Sequence, residues 1–510
     1  MARSAAVSTV KIALPTLTPQ AGRDLRNCQE FPATMTTGPV PGCPVPASST
    51  GECMTVTSTT SRRAPLPRTW SIRASDIAAL VAGNAVLIGA MWVRHGQLIE
   101  LHSVTGIITA AGQLAALYGT YLVLLQLVLM SRSPWLDQVF GSDRIVWLHR
   151  WVGFSAILLL AAHGVLTVTG YGLANGSGPI GETVTMLTTY PYVLLATAGM
   201  ALFVLIGVMS INAARRRVSY ETWYGIHLYT YLAIALAFMH QLAVGTDFLG
   251  DPVARLYWLA LYVATFSLLI AFRFGQPITL SLRHRLRVAN VIVEAPGVIS
   301  IYMTGRELDR LAVRAGQWFR WRFLTPDDWW RSHPFSLSAA PNGEFLRITV
   351  KDVGDFTSKL QRMRIGTLVF VEGPYGILTG AQRTRPRVLL VAGGIGITPL
   401  RALLEEMPAG KGDLALLYRA RRPRDLVFRR EIEQIAALRG ATVHFVVGHH
   451  GTREMPHDPF EPRAIQRLVP DVAQRDIYVC GPVPMMDAVR RSLHALHVPD
   501  TQIHDERFAF

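Results

Sequence analysis

The stretch DRIVWLHRWVGFSAILLLAAHGVLTVTGYGL, Asp143 to Leu173, is apolar enough and long enough to cross a bilayer, and it carries two histidines, His149 and His163. A second run, YETWYGIHLYTYLAIALAFMHQLAV, Tyr220 to Val244, carries His227 and His240. No other histidine lies between residues 103 and 283. An imidazole inside a membrane calls for a partner or a ligand. Two pairs of nearly equal spacing point to two haems, one above the other. His149 and His163 are 14 residues apart, which is a rise of about 21 Å, and on a straight helix their rings return to within about 40° of each other. His227 and His240 are 13 apart, which leaves them about 140° apart on a straight helix. A bend, a bulge or different azimuths of the two haems has to absorb that difference. The plain alternative is four packing or hydrogen-bonding histidines.

Working outward, the chain of 510 residues is 50% hydrophobic and only 17% charged, and its apolar residues concentrate between 76 and 274. Six apolar runs lie there, at about 76–94, 104–130, 144–172, 190–212, 222–244 and 254–274. Each is near or above the roughly 20 residues that span a bilayer. The basic flanks Arg62, Arg63, Arg68 and Arg73, Arg144 and Arg150, Arg215, Arg216 and Arg217, and Arg273, Arg283 and Arg285 fall on one side if the N-terminus is cytoplasmic, and 173–189 and 245–253 hold no Lys or Arg. The two runs that carry these histidines, the third and the fifth, then run in the same direction, from inside to outside. His149 and His227 lie near the cytoplasmic side, and His163 and His240 nearer the outer side. His149–His227 and His163–His240 are the expected metal-ligand pairs. Two axial nitrogens saturate each iron and favour electron transfer over oxygen binding at the metal. The net charge of +15 reads as basic cytoplasmic flanks, and no zinc-finger or stacking motif argues for nucleic acid. Cys28, Cys43 and Cys53 lie in the N-terminal tail and only Cys480 in the folded part, so no disulfide framework is implied.

Residues 1–75, rich in Pro, Thr, Ser and Ala, read as a disordered tail without a secretory signal. From Gln276 the pattern changes to short strands, expected at 278–292, 299–304 and 317–324 and forming a small antiparallel barrel. Arg331-Ser332-His333-Pro334-Phe335-Ser336-Leu337-Ser338-Ala339-Ala340-Pro341 follows. Gly354-Asp355-Phe356-Thr357-Ser358 begins a short helix after a strand, where phosphate can bind. Val371-Glu372-Gly373-Pro374-Tyr375-Gly376 closes the segment as a turn. The remainder alternates strand and helix, with strands at 387–392, 413–418, 442–447 and 476–480 in a parallel-sheet pattern. Gly393-Gly394-Ile395-Gly396-Ile397-Thr398-Pro399 sits between the first of these strands and a helix, where backbone N–H groups and the helix dipole accept a pyrophosphate.

HPFSLSAAP resembles the flavin-binding motif of the ferredoxin–NADP reductase superfamily, and more closely its version in NADPH oxidases and ferric reductases. VEGPYG, VAGGIGITP, VCGP and the two histidine pairs occur in that family's order, and the resemblance covers residues 76–510. It implies a membrane all-α six-helix bundle (76–275), an antiparallel β-barrel FAD domain (276–382) and an α/β parallel-sheet nucleotide-binding domain (383–510). Within the flavin motif, which includes Pro334, Phe335 would pack against the isoalloxazine and Ser336 would sit near the reactive flavin nitrogen. His333 would replace the arginine that touches FAD, with Arg347 and Lys351 as further candidates for that charge. Gly354, Thr357 and Ser358 would contact the FAD pyrophosphate. Gly393, Gly394, Gly396, Ile397 and Thr398 would cradle the nicotinamide nucleotide, and Cys480, Gly481 and Pro482 would lie beside the nicotinamide. Arg419, in a basic cluster after a strand, suits a ribose 2′-phosphate and favours NADPH over NADH. Phe510 would cover the flavin ring. One departure stands out: animal NADPH oxidases carry a further histidine one turn beyond the outer ligand of the third helix, where this chain has Thr167.

The expectation is a multi-pass protein of the inner or plasma membrane, with its N-terminus and its FAD and NADPH domains in the cytoplasm. It passes electrons from NADPH through FAD and two b-type haems to an external acceptor, a ferric chelate or dioxygen. The alternatives are a membrane subunit that supplies a periplasmic partner protein and a flavin reductase on a haem-free anchor.

Overall fold

The structure is a computed structural model and describes residues 72–94, 101–211, 217–448 and 458–506. The expected tail up to residue 71, most of the basic flank before the first helix, and Phe510 lie outside the described residues.

Among the described residues, six helices are long and apolar enough to cross a membrane: Ala74–Arg94, Val104–Leu129, Ser142–Ala174, Val193–Ser210, Glu221–Val244 and Pro252–His284. They fall on the six apolar runs. We label the helical elements α1 (Ala74–Arg94), α2 (Val104–Leu129), α3 (Pro134–Phe140), α4 (Ser142–Ala174), α5 (Gly178–Thr189), α6 (Val193–Ser210), α7 (Tyr220–Leu228), α8 (Thr230–Val244), α9 (Pro252–Ile270) and α10 (Gln276–His284). The fifth span is α7 and α8, interrupted at Tyr229 between its two histidines. There Tyr229 N bonds back three residues, to the Ile226 carbonyl, and the Thr230 hydroxyl bonds the His227 carbonyl at 2.8 Å. A hydroxyl that captures a helix carbonyl bends the ladder, and a bend is one of the ways in which the 13-residue spacing can be absorbed.

Small residues let α2 and α4 lie close together. A Cβ added to Gly119 would stand 2.8 Å from Leu160, and one added to Gly112 would stand 3.0 Å from the Thr167 hydroxyl. Ala115 and Ala156 are buried in the same seam. Only 6% of the most apolar part of α4 and 11% of that of the fifth span is buried inside the protein, against 44% for α2. The two histidine-bearing spans are thus the least covered by protein.

The sixth span continues past its apolar part. A five-residue π-turn, Ala271–Gly275, carries α9 into α10, so one helical rod enters the next domain. The strand expected from residue 278 is therefore helical up to His284. Pro277 is tolerated in the first turn, where no backbone donor is needed. Docking of α10 on the following sheet, with Ser281 accepting a 3.0 Å bond from Val371 N, overrides the strand-like alternation of ITLSL. Arg285, left-handed at φ 45°, ends the helix, and strand β1 (Arg287–Ala295) begins after it.

The flavin-type domain comprises two three-stranded antiparallel sheets, β1-β2-β5 and β4-β3-β6, with β2 Val298–Thr304, β3 Trp318–Phe323, β4 His333–Ser336, β5 Leu346–Lys351 and β6 Val369–Tyr375. A closed barrel is not formed as a continuous ladder. The sheets stay open and meet through the bridges Arg287 with Leu368 and Leu337 with Ile348 and a few backbone bonds around them, among them Gly366 N to the Val288 carbonyl at 2.7 Å and Ser338 N to the Arg347 carbonyl at 2.8 Å. Phe319, Trp321, Ile301 and Ile348 fill the space between them. The last domain has the parallel order β11-β10-β7-β8-β9, built from β7 Arg387–Gly393, β8 Leu414–Ala420, β9 Thr442–Val447, β10 Arg475–Cys480 and the short edge strand β11 Ile503–Asp505, which the sequence pattern does not announce.

Candidate functional site

In the membrane part the ring centroids of His149 and His227 are 5.9 Å apart. Two imidazole nitrogens each about 2 Å from one metal put their ring centroids roughly 6 Å apart, so the pair has the spacing of two axial ligands. Three of the four histidines engage Nδ1 locally. His163 Nδ1 meets the Gly112 carbonyl at 3.0 Å and the Thr167 hydroxyl at 3.1 Å. His240 Nδ1 contacts the Ala237 carbonyl. His227 Nδ1 lies 3.5 Å from the Ser210 hydroxyl, whose own hydrogen goes to the Ile206 carbonyl. A carbonyl only accepts, so these contacts place the proton on Nδ1 and leave the Nε2 lone pair free for a ligand bond. Metal-ligating histidines are oriented in this way. Trp223, one turn before His227, stacks on its ring at 5.1 Å. The donor set fits a haem: two neutral imidazoles per site from facing spans, in an apolar enclosure.

The flavin motif is β4, an edge strand, which is where Pro334 can sit without costing a ladder bond. His333 stacks on Phe356 at 3.7 Å. Burial, with the charges of Arg320 and Arg331 beside it, holds its imidazole below the usual histidine range and therefore neutral. These two arginines are the cations next to His333, and the sequence reading missed both; Arg320 faces Pro334 across the β3–β4 pair, a register that only the fold shows. Ser336 is buried, and Phe335 packs half-buried against the core. Gly354, Ser358 and Lys351 are exposed around the short helix Asp355–Leu360, where the Thr357 hydroxyl accepts from Gly354 N at 3.0 Å. Arg347 points elsewhere. It is buried, bonds Ser338 and Tyr302, and pairs with Glu431 of the last domain at 3.1 Å. Arg401 joins the same Glu431.

The nucleotide candidates converge at the carboxyl ends of β7, β8 and β10. Gly393 pairs in register with Arg419, and Cys480 with Ala392. Gly394 has φ +55°, which favours glycine. A Cβ on Gly396 would collide with the Cys480 carbonyl, and one on Gly481 would stand 3.1 Å from Gly393 Cα. The GGIG and CGP loops thus touch backbone to backbone, with Pro482 beside Gly393. Ile397 and Thr398 are buried at the start of the helix Ile397–Glu406. Cys480 is buried, which pushes its thiol up and keeps it protonated.

The two halves are joined by VEGPYG, expected only as a turn. Arg132, after α2, donates to both oxygens of Glu372 at 2.8 Å. Gly376 N bonds Asp137 of α3 at 2.5 Å, and the Tyr375 hydroxyl bonds the Arg132 carbonyl at 3.2 Å. Arg273 of the π-turn reaches the Tyr224 hydroxyl on α7 at 2.9 Å. Glu221, at the start of α7, is the weakest of the charges that act on His333. Glu506, the last described residue, is buried with Oε1 accepting from Trp318 Nε1 at 2.7 Å.

Residues 115–238 match the ferric reductase like transmembrane component, residues 283–379 an FAD-binding domain, and residues 390–491 an oxidoreductase NAD-binding domain. The chain is 27% identical over 184 residues to the glycine betaine monooxygenase reductase subunit of Pseudomonas aeruginosa, covering 34% of this chain and 50% of that protein. It is 30% identical over 247 residues to a flavohemoprotein of Chromobacterium violaceum, covering 44% of this chain and 59% of that one. A solved structure of the flavohem-like FAD/NAD binding domain of nitric oxide dioxygenase from Vibrio cholerae aligns at 26% identity and a TM-score of 0.36, over 44% of this chain and 99% of that one. The chain spans about half the length of the first curated relatives it matches. A ferric-reductase-like transmembrane component followed by FAD-binding and NAD-binding domains is the fused architecture of the NADPH oxidase and ferric reductase superfamily, and it is the architecture of this multi-pass membrane oxidoreductase.

Proposed function

We propose that the protein conducts electrons across the membrane from cytoplasmic NADPH, through FAD and two b-type haems, to an external ferric chelate or dioxygen. The observation that carries this reading is the 5.9 Å His149–His227 pair together with the Nδ1 contacts of His163, His227 and His240. The cofactors supply the chemistry: a flavin splits the two-electron hydride into single electrons, which suit a haem iron. The chain supplies order. His149 and His227 would hold the inner haem, and His163 and His240 the outer one. Gly393, Gly394 and Gly396 let the nucleotide approach the backbone, with Arg419 beside them as the group for a 2′-phosphate. Phe335 and Ser336 are the candidates for holding the flavin ring, and Gly354, Thr357 and Ser358 for its pyrophosphate. The Arg132–Glu372 pair and the Gly376–Asp137 bond keep the flavin domain against the helix ends. The domain divisions at 275 and 382 belong to this reading.

Thr167 occupies Nδ1 of His163 and supports an outer haem with a fixed ligand rather than a further histidine beside it. The test is an absorbance spectrum of the purified protein and of His163→Ala and His240→Ala. The wild type shows a haem spectrum, and each variant loses about half of it. A wild type with flavin and no haem contradicts the proposal, leaving a flavin reductase on a membrane anchor.

A further inference from the structure

His149 differs from the other three histidines. Its Nδ1 is buried and has no hydrogen-bond partner. A matching unpartnered atom lies on α2, in a residue that already bonds His149. Gln126 Nε2 donates to the backbone carbonyl of His149 itself at 2.6 Å, while Gln126 Oε1 is also buried without a partner. One orphan can donate and the other can only accept, and both belong to one pair of residues. A buried polar atom without a partner is costly, so two complementary ones on residues already joined by a hydrogen bond are informative.

The helix pair gives the arrangement a register. At the outer site α2 offers the Gly112 carbonyl to His163 Nδ1. The step from Gly112 to Gln126 is fourteen residues, the same as from His149 to His163, and the two helices run antiparallel. Gln126 therefore stands opposite His149 as Gly112 stands opposite His163. The residue one turn beyond each histidine follows the same rule. Beyond His163 it is Thr167, whose hydroxyl meets Nδ1. Beyond His149 it is Gly153, and a Cβ there would stand 2.5 Å from Gln126 Nε2. The glycine makes the slot in which the amide lies.

Resting on the haem reading above, we infer that Gln126 is the positioning residue of the inner haem ligand: its Oε1 accepts the Nδ1 proton of His149 when Nε2 is bound to iron. Carboxamide at the inner site thus does what a backbone carbonyl does at the outer site. A hydrogen bond to Nδ1 raises the basicity of a ligating imidazole, which favours the oxidised iron and lowers its potential. A carboxylate accepts more strongly and an alkyl group not at all.

The test is a potentiometric titration of the full-length protein, followed by haem absorbance, on wild type, Gln126→Leu and Gln126→Glu. The haem component that survives in His163→Ala is assigned to the inner site. Gln126→Leu raises the inner midpoint, Gln126→Glu lowers it, and the outer midpoint stays fixed; the low-spin electron paramagnetic resonance signal of the inner haem moves with it. Equal inner midpoints in all three proteins, or shifts of the same sign in both variants, overturn the inference, the latter because packing alone moves both alike. If Gln126→Leu does not fold, the sign in Gln126→Glu decides. A wild type without haem fails at the earlier step and is seen in its own spectrum.

Discussion

Single side chains in this protein carry opposite demands from water and from burial. Glu506 is the sharpest case. Burial, reinforced by Asp137, pushes its carboxyl up to about 8. The folded protein therefore holds a proton that an unfolded carboxyl releases near 4.5, and stability falls as pH rises between those values. Melting temperature measured against pH declines across about 4.5 to 8 in the wild type, and Glu506→Gln removes that component of the decline; an unchanged slope contradicts the assignment. Arg419 makes the opposite kind of statement, about a ligand. It stands in register beside Gly393, where a charge-assisted bond to a phosphate contributes about 1.5–3 kcal/mol. Arg419→Ala lowers kcat/KM for NADPH roughly 10- to 100-fold and leaves that for NADH nearly unchanged, so an unaltered cofactor preference counts against the 2′-phosphate role. The histidines and the glycine loop were legible in the sequence because chemistry there needs rare residue types at fixed places. Arg320, Arg331 and Gln126 were not, because an arginine or a glutamine is ordinary until a register puts it opposite a histidine.

Among the elements, the membrane spans were legible and the joints were not. Length and hydropathy define a span without reference to its neighbours. The break at Tyr229 was foreseen as a need, from the 13-residue spacing, but its place depends on which hydroxyl captures which carbonyl. The helix Gln276–His284 was read as a strand because its alternating apolar residues satisfy both periods, and only its docking against β6 decides. Where a barrel is expected, the structure has two open sheets joined by isolated bridges and a few backbone bonds. The VEGPYG element has a use that no local pattern reveals, because its partner Arg132 lies 240 residues away. Both bonds come from one guanidinium nitrogen and the pair is part-buried, so removing Arg132 costs less than the roughly 3–5 kcal/mol of breaking a fully buried pair. Arg132→Ala is expected to lower the unfolding temperature of the flavin domain in the full-length protein and to slow haem reduction more than flavin reduction in stopped-flow absorbance. Equal slowing of both steps argues against a docking role.

At the scale of the whole molecule, a helical rod, the Arg132–Glu372 pair and the Gly376–Asp137 bond join the FAD-binding and NAD-binding domains to the apolar helices. In the proposed function, hydride chemistry belongs to one unit, and the other offers paired imidazoles. The spans that bear those imidazoles are the ones least covered by protein. In the proposed function the two units form one electron path. An anaerobic titration of the purified protein with NADPH, followed by absorbance, is the test. Flavin bleaching is expected to be accompanied by reduction of two haems per flavin, the haem signals growing with each electron pair added. Flavin reduction with haem absent, or with haem present but left oxidised, contradicts it.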